Sequence, residues 1–123
     1  MLSPVAGREK TMQLDSEVLD NGICRINLAG RMDIQGTQDI DMKFTGISAK
    51  QRAVIVDMSA VEFLASIGIR TLLLSAKAIG SRGGKMVVLN PDANVRKVLE
   101  MAGIDTLIPI FVSLEDARTA VTA

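Results

Sequence analysis

The chain has 123 residues, of which 48% are hydrophobic, and it carries 14 basic and 14 acidic residues. This length and composition are typical of one globular domain. The balanced charge argues against nucleic-acid binding, which needs a basic surface. The chain has no His and a single Cys, Cys24, so the usual residues of acid–base catalysis and of zinc sites are absent. We therefore predict a protein that has no cofactor and no catalytic activity and that binds another protein.

The first residues show no periodic pattern and no targeting signal. Residues 1–11 contain Pro4, Gly7 and a charged Arg-Glu-Lys run, and they are predicted to be a disordered leader before a domain at 12–123. The apolar runs are shorter than the ~20 residues of a membrane span. One cysteine cannot form an internal disulfide, which is usual in a reducing compartment. We expect a soluble, cytoplasmic protein that does not contact a membrane.

The first regular elements form a predicted hairpin. Residues 12–19 alternate weakly and predict an edge strand. Asn21-Gly22 is a strong signal for a type I′ turn, because both central residues of that turn need a positive φ. The return strand, 23–29, places Cys24 on the apolar face, so the thiol is predicted to be buried and unreactive.

Helices and strands alternate along the rest of the chain. Predicted strands lie at 53–58, 85–89 and 107–112, and predicted helices at 36–47, at 67–79, after an Asn90 cap and after a Ser113 cap. The core stripe of the second helix is predicted to contain Ile69, Leu72, Leu73, Ala76 and Ile79. This alternation predicts an α/β fold with a mixed sheet of four or five strands and helices packed on it.

The start of the second helix is the most informative segment. A loop leads to Ser66, which is predicted to cap the helix, because Ser is a preferred N-cap residue. Gly68 weakens the first turn and, without a side chain, is expected to leave the Ser66 hydroxyl accessible to a large partner. Ile67 and Leu74 lie away from the core stripe. They are expected either to be covered by a partner or to pack under neighbouring loops.

Several segments, taken in order, resemble one family. Gly30-Arg31-Met32-Asp33 is similar to a Gly-x-Leu-Asp motif, and Ala65-Ser66-Ile67-Gly68-Ile69 stands where the family has Asp-Ser-Ser/Thr-Gly-Leu. Residues 54–63 resemble the family's third strand and the loop that leads to its active helix, and residues 83–91 and 95–104 match the segments that follow in the family. The chain thereby resembles the anti-sigma factor antagonists of the STAS domain family, from about Met12 to the C-terminus.

The resemblance implies a partner switch in which phosphorylation controls binding. A serine kinase that is also an anti-sigma factor would bind the unmodified chain, phosphorylate Ser66 with its own ATP and magnesium, and then dissociate. A PP2C-type phosphatase would reverse the modification. The implied partner-binding residues are Arg31, Asp33, Ser66, Ile67, Gly68, Ile69, Arg70 and Leu74.

Two positions depart from the family motif, and two other functions stay open. Ala65 replaces the family's Asp, and Ile67 replaces its second hydroxyl residue, which could slow kinase recognition or indicate a different kinase. One alternative is a STAS binding module without phosphorylation control, for assembly docking or small-ligand sensing. The other is an enzyme with a Ser66 nucleophile. The enzyme is disfavoured because the chain has no His to act as a base and Lys77 is more than one helical turn away.

Overall fold

The structure, a computed structural model, describes residues 11–123, which form one sheet and four α-helices. The strands are β1 (Met12–Val18), β2 (Cys24–Met32), β3 (Ala53–Leu64), β4 (Lys85–Leu89) and β5 (Ile110–Phe111). The helices are α1 (Ile34–Ser48), α2 (Ser66–Ser81), α3 (Ala93–Met101) and α4 (Leu114–Thr122). The predicted α/β fold with a mixed sheet is confirmed.

The five strands are arranged in chain order across the sheet. β1 is antiparallel to β2, and all later neighbours are parallel. Because parallel strands end at the same edge of a sheet, the C-terminal ends of β2 and β3 lie side by side there, with Met32 paired to Leu64. Helices α1 and α2 begin at this edge, immediately after those two strands.

The two faces of the sheet are covered differently. Helices α1, α2 and α3 pack on one face and form the larger core with alternate residues of the strands, among them Ile26, Val56 and Val88. Helix α4 packs on the other face, where Ala117 and Val121 meet Ile55 and Val87. The opposite orientations of Val56 and Ile55 follow from the two-residue period of a strand.

The predicted hairpin is confirmed. Asn21 has φ +64° and Gly22 has φ +72°, as a type I′ turn requires, and the Ile23 N–H donates to the Asp20 carbonyl. Cys24 is 2% exposed, so its predicted burial is confirmed. Burial raises the pKa of the Cys24 thiol, which keeps it protonated near neutral pH.

Strand β3 is longer than predicted. The strand was predicted to end at Met58, with residues 61–65 as a loop before Ser66, but it continues to Leu64. The C-terminal half of β2, which itself extends beyond the predicted Ala29, supplies the pairing partner for residues 60–64. A strand that is stabilised by pairing with a distant segment has only a weak local signal. Helix α1 begins at Ile34, two residues before its predicted start at Gly36.

The elements after β4 differ from the prediction at one cap and in the length of the last strand. Asp92, rather than Asn90, caps α3, and its carboxylate accepts the Val95 N–H at 2.8 Å. The predicted last strand is reduced to two residues, after a 3₁₀ turn at Ile104–Thr106. Ser113 caps α4 as predicted and accepts the Asp116 N–H.

The predicted leader, 1–11, lies outside the described residues except for Thr11. The Thr11 N–H donates to the Asp39 carboxylate at 2.8 Å, and its carbonyl accepts the Arg31 N–H. No helix in the described part of the chain is long and apolar enough to cross a membrane.

Candidate functional site

Ser66 is the first residue of α2 and is exposed to solvent. The prediction that it caps the helix is wrong. Ala65 occupies the N-cap position and provides no side-chain hydrogen bond. Within residues 11–123 the Ser66 hydroxyl has no hydrogen-bond partner, so it is available to an external group.

Backbone hydrogen bonds hold the start of α2 beside the end of β2. The Ala65 N–H donates to the Met32 carbonyl at 3.0 Å, and the Ala65 carbonyl accepts the N–H groups of Gly68 and Ile69. The N–H groups of Ser66 and Ile67 have no backbone acceptor among the described residues. Free N–H groups and the positive end of the helix dipole favour a negative charge at this position.

Arg31 and Phe63 form a stacked pair at the same edge of the sheet. They face each other in the β2–β3 register, and the Arg31 guanidinium lies 4.5 Å from the centre of the Phe63 ring. Phe63 is 40% exposed and precedes Ser66 by three residues, so this pair presents an aromatic and a cationic surface at the edge of the sheet where α2 begins. Phe63 was not among the predicted site residues. Its only sequence signal was an aromatic residue three positions before Ser66.

Asp33 has a structural role that the sequence analysis did not identify. Its carboxylate caps α1 by accepting the Gly36 N–H at 2.8 Å, and it also lies 3.7 Å from the Arg31 guanidinium. The side chain keeps 32% exposure. Asp33 therefore positions the start of α1 and holds Arg31, while part of its carboxylate stays available to a partner.

Gly68 does not leave space beside the Ser66 hydroxyl, so that expectation was wrong. It is buried, and a Cβ at this position would lie 2.7 Å from Met32 Cγ and 2.9 Å from Leu64 Cδ1. A glycine is therefore needed because α2 packs closely on the ends of β2 and β3. Gly68 cannot contact a partner directly. Ile69 is half-buried and packs against the core.

The outer surface of α2 carries the remaining predicted residues. Ile67 is half-buried, Arg70 is exposed and Leu74 is 55% exposed. These residues do not pack under a loop. They line a groove between α1 and α2. The predicted core stripe of α2 is largely confirmed, since Leu72 and Ile79 are buried in the core and Ile69 and Ala76 pack against it. The buried face also includes three residues outside that stripe, Gly68, Thr71 and Ser75.

A separate polar network lies on the face of the sheet that α4 leaves open. Arg25 forms a 2.5 Å ion pair with Asp57, and the Ser59 hydroxyl and N–H donate to the same carboxylate. Partial burial alone would raise the pKa of Asp57, but the hydrogen bonds from Arg25 and Ser59 and the charge of Arg25 outweigh it and lower that pKa. Arg25, Asp57 and Ser59 satisfy one another's charges and hydrogen bonds, which indicates a structural role for this network.

Comparison with known proteins identifies a family for most of the chain. The STAS domain family matches residues 17–117. An anti-sigma-F factor antagonist, RsfB of Mycobacterium tuberculosis, is 28% identical over 102 residues, which cover 82% of this chain and 83% of RsfB.

Solved structures show the same fold. An anti-sigma factor antagonist from Mycobacterium paratuberculosis superposes with a TM-score of 0.84 and 25% identity, covering 94% of this chain and 98% of that protein. The Bacillus cell fate determinant SpoIIAA in its phosphorylated form superposes with a TM-score of 0.67 and 20% identity, over 88% of this chain and 98% of SpoIIAA.

Proposed function

The chain belongs to the STAS domain family, and on this premise we propose that it is an anti-sigma factor antagonist whose binding is controlled by reversible phosphorylation of Ser66. The partner is an anti-sigma factor with serine-kinase activity, and a PP2C-type phosphatase restores the unmodified chain. The names of the relatives support the assignment to the anti-sigma factor antagonists, since both RsfB and the M. paratuberculosis protein are described in this way. We propose a cytoplasmic location, because that is where partners of this kind act.

The observation that carries the proposal is the state of the Ser66 hydroxyl. It is exposed at the first position of α2 and has no hydrogen-bond partner among the described residues. A kinase can therefore reach it without unfolding the helix or breaking a cap. The hydroxyls of Thr45 and Ser48, in contrast, donate to backbone carbonyls of α1.

The start of α2 also accommodates phosphorylated Ser66. Phosphorylation adds about −1.5 to −2 charge and three acceptor oxygens. The free N–H groups at the start of α2 and the helix dipole stabilise this charge in the free protein. We therefore expect the fold to be the same in both states.

The complex, in contrast, is destabilised by the phosphate. In the bound state Ser66 and its apolar neighbour Ile67 are covered by the partner. Covering a dianion removes its water, and this cost has to be met by cationic groups of the partner. Phosphorylation then acts as an electrostatic switch at the interface.

We further propose that the chain has no catalytic activity of its own. A Ser66 nucleophile would need a base, and the chain contains no His. Lys77 follows eleven residues later in the same helix, about 16 Å along its axis, since each residue of a helix adds ~1.5 Å.

The proposal is tested by incubating the purified chain with each serine-kinase anti-sigma factor of the source organism and ATP–Mg. Intact-mass spectrometry is expected to show one added phosphoryl group, and peptide mapping is expected to place it on Ser66. Ser66→Ala should abolish the incorporation. Ser81→Ala, at the other end of α2 and also exposed, is the matched control and should leave it unchanged. Phosphate incorporation in Ser66→Ala at the rate of the unsubstituted chain would contradict the proposal.

One observation favours the alternative of a binding module without phosphorylation control. Ala65 stands directly before Ser66, where the family motif has a carboxylate, and Ile67 replaces the second hydroxyl. In that case the chain would bind its partner or a small ligand without ever being modified. A complex that forms and stays unphosphorylated in the presence of ATP–Mg would favour this alternative.

A further inference from the structure

Helices α1 and α2 form a groove of about 370 Å³ on the outer surface of the domain. Thr37, Asp41 and Met42 line it from α1, and Ile67, Arg70 and Leu74 line it from α2. We call it the α1–α2 groove. One end lies at Ile67, the residue after Ser66, so the groove continues directly from the proposed phosphorylation site.

An orphan hydroxyl lies at the bottom of this groove. Thr37 is 3% exposed, and its Oγ1 has no hydrogen-bond partner within the described residues. Most buried polar side-chain atoms in folded proteins are hydrogen-bonded, because an unsatisfied one destabilises the fold. A threonine in a helix can donate to the carbonyl four residues earlier, as Thr45 does to Asp41, but Thr37 does not. The oxygen itself is buried, so a polar group that enters the groove hydrogen-bonds it only when the side chains around it shift.

The walls of the groove are apolar and exposed. Met42 is 87% exposed and Leu74 is 55% exposed, and they lie on opposite helices. A single exposed apolar residue is ordinary on a protein surface. Two such residues on facing helices, together with Ile67, give the groove an apolar lining beside several polar residues, as binding grooves typically have.

Two charged residues of opposite sign also line the groove. Arg70 and Asp41 form no ion pair with any residue in 11–123. Unpaired charges of both signs are complementary to a segment that carries an acid and a base. Such complementarity favours one orientation of the bound segment.

We infer that the α1–α2 groove is a second docking site for the anti-sigma factor, which inserts an aliphatic side chain flanked by an acidic and a basic residue. The aliphatic side chain contacts Met42, Ile67 and Leu74, and a backbone group beside it hydrogen-bonds the Thr37 hydroxyl. The acidic residue pairs with Arg70 and the basic residue with Asp41. The inference rests on the proposed function and assigns α1 a part in the interface.

Thr37→Val separates a binding role of the hydroxyl from a structural one. Valine has nearly the same shape and removes the orphan hydroxyl, so the free energy of unfolding is expected to stay the same or rise. Affinity for the kinase that phosphorylates the unsubstituted chain is expected to fall by about fivefold to tenfold in calorimetry, because one interfacial hydrogen bond is lost. If the role of Thr37 were only structural, weaker binding of Thr37→Val would be accompanied by lower stability.

Met42→Glu tests the apolar wall, and Met101→Glu is its matched control. Met101 is 79% exposed on α3, so both substitutions add a charge to an exposed helical methionine. We expect Met42→Glu to weaken binding by at least about tenfold, as for an interface anchor, and Met101→Glu to have no effect. In the unsubstituted chain, labelling the methyl groups of its seven methionines should show a shift of the Met42 resonance on complex formation and none for Met101.

The outcomes distinguish a failure of the groove inference from a failure of the proposed function. If the kinase binds and phosphorylates the unsubstituted chain, but Thr37→Val and Met42→Glu bind equally well and the Met42 methyl resonance is unchanged, the groove inference is overturned and the proposed function stands. If no serine-kinase anti-sigma factor binds or phosphorylates the unsubstituted chain, both are overturned. Loss of affinity in both variants, with Met101→Glu unaffected, supports the inference.

Discussion

Replacing Ser66 by alanine tests whether its hydroxyl stabilises α2 as a cap or is free for phosphorylation. If the hydroxyl capped α2, its removal would cost about 1 kcal/mol. The structure shows no such bond, because Ala65 is at the N-cap and the hydroxyl of Ser66 is unpartnered among residues 11–123. Alanine is also a better helix former than serine by about 0.5 kcal/mol. We therefore expect the free energy of unfolding of Ser66→Ala to be unchanged or up to about 0.5 kcal/mol higher.

Asp92→Ala provides the matched control, because Asp92 is a true cap. Its carboxylate accepts the Val95 N–H at 2.8 Å at the start of α3. Removing this bond should lower the free energy of unfolding by about 1 kcal/mol. For a domain of this size such a loss corresponds to a fall in Tm of about 3 to 6 °C.

The assay is urea denaturation of the three proteins, followed by circular dichroism, with equal slopes required for the comparison. Ser66→Ala should unfold at the same urea concentration as the unsubstituted chain or at a higher one, while Asp92→Ala unfolds earlier. A loss in Ser66→Ala as large as in Asp92→Ala would refute the reasoning, since it would mean that the Ser66 hydroxyl stabilises the helix.

Further predictions concern charge and packing. Ser66→Asp should weaken binding of the kinase at least about tenfold, or 1.4 kcal/mol, in calorimetry, and unchanged affinity would place Ser66 outside the interface. Ala65→Asp should speed phosphorylation in a kinase assay, because it restores the carboxylate of the family motif. The final extent should not change, because solvent and salt screen the repulsion between this carboxylate and the phosphate. A slower rate would contradict this. Asp57→Asn should destabilise the fold by about 1 to 2 kcal/mol at pH 7. Because the folded-state pKa of Asp57 is lowered, its carboxylate stabilises the fold above the usual pKa of 3.8, and this stabilisation is lost as the pH falls below that value. In acid denaturation the difference in stability between the two proteins should therefore shrink below that pH and not above it. Gly68→Ala should lower Tm, since the added methyl group would lie within 3.0 Å of two buried side chains, and an unchanged Tm would mean that these side chains move at no cost.

The sequence by itself determined the elements whose signals are local. The Asn21-Gly22 turn was predicted because its two positive φ angles suit only a few residue types. The Ser113 cap was predicted because capping involves residues three positions apart. The alternation of Cys24, Ile26 and Leu28 likewise identified the buried face of β2. The position of Ser66 at the beginning of the second helix also came from the sequence, although its role as a cap did not hold.

Only the tertiary structure decided the features that depend on distant segments. The extension of β3 to Leu64 depends on hydrogen bonds with the far half of β2, and the Arg31–Phe63 contact depends on the register of the same two strands. The burial of Gly68 depends on how closely α2 approaches Met32. The α1–α2 groove, with the orphan hydroxyl of Thr37, exists only because two helices far apart in the chain pack side by side. A periodic pattern states which residues share a face of one helix, but the neighbour of that face is set by packing across the whole domain.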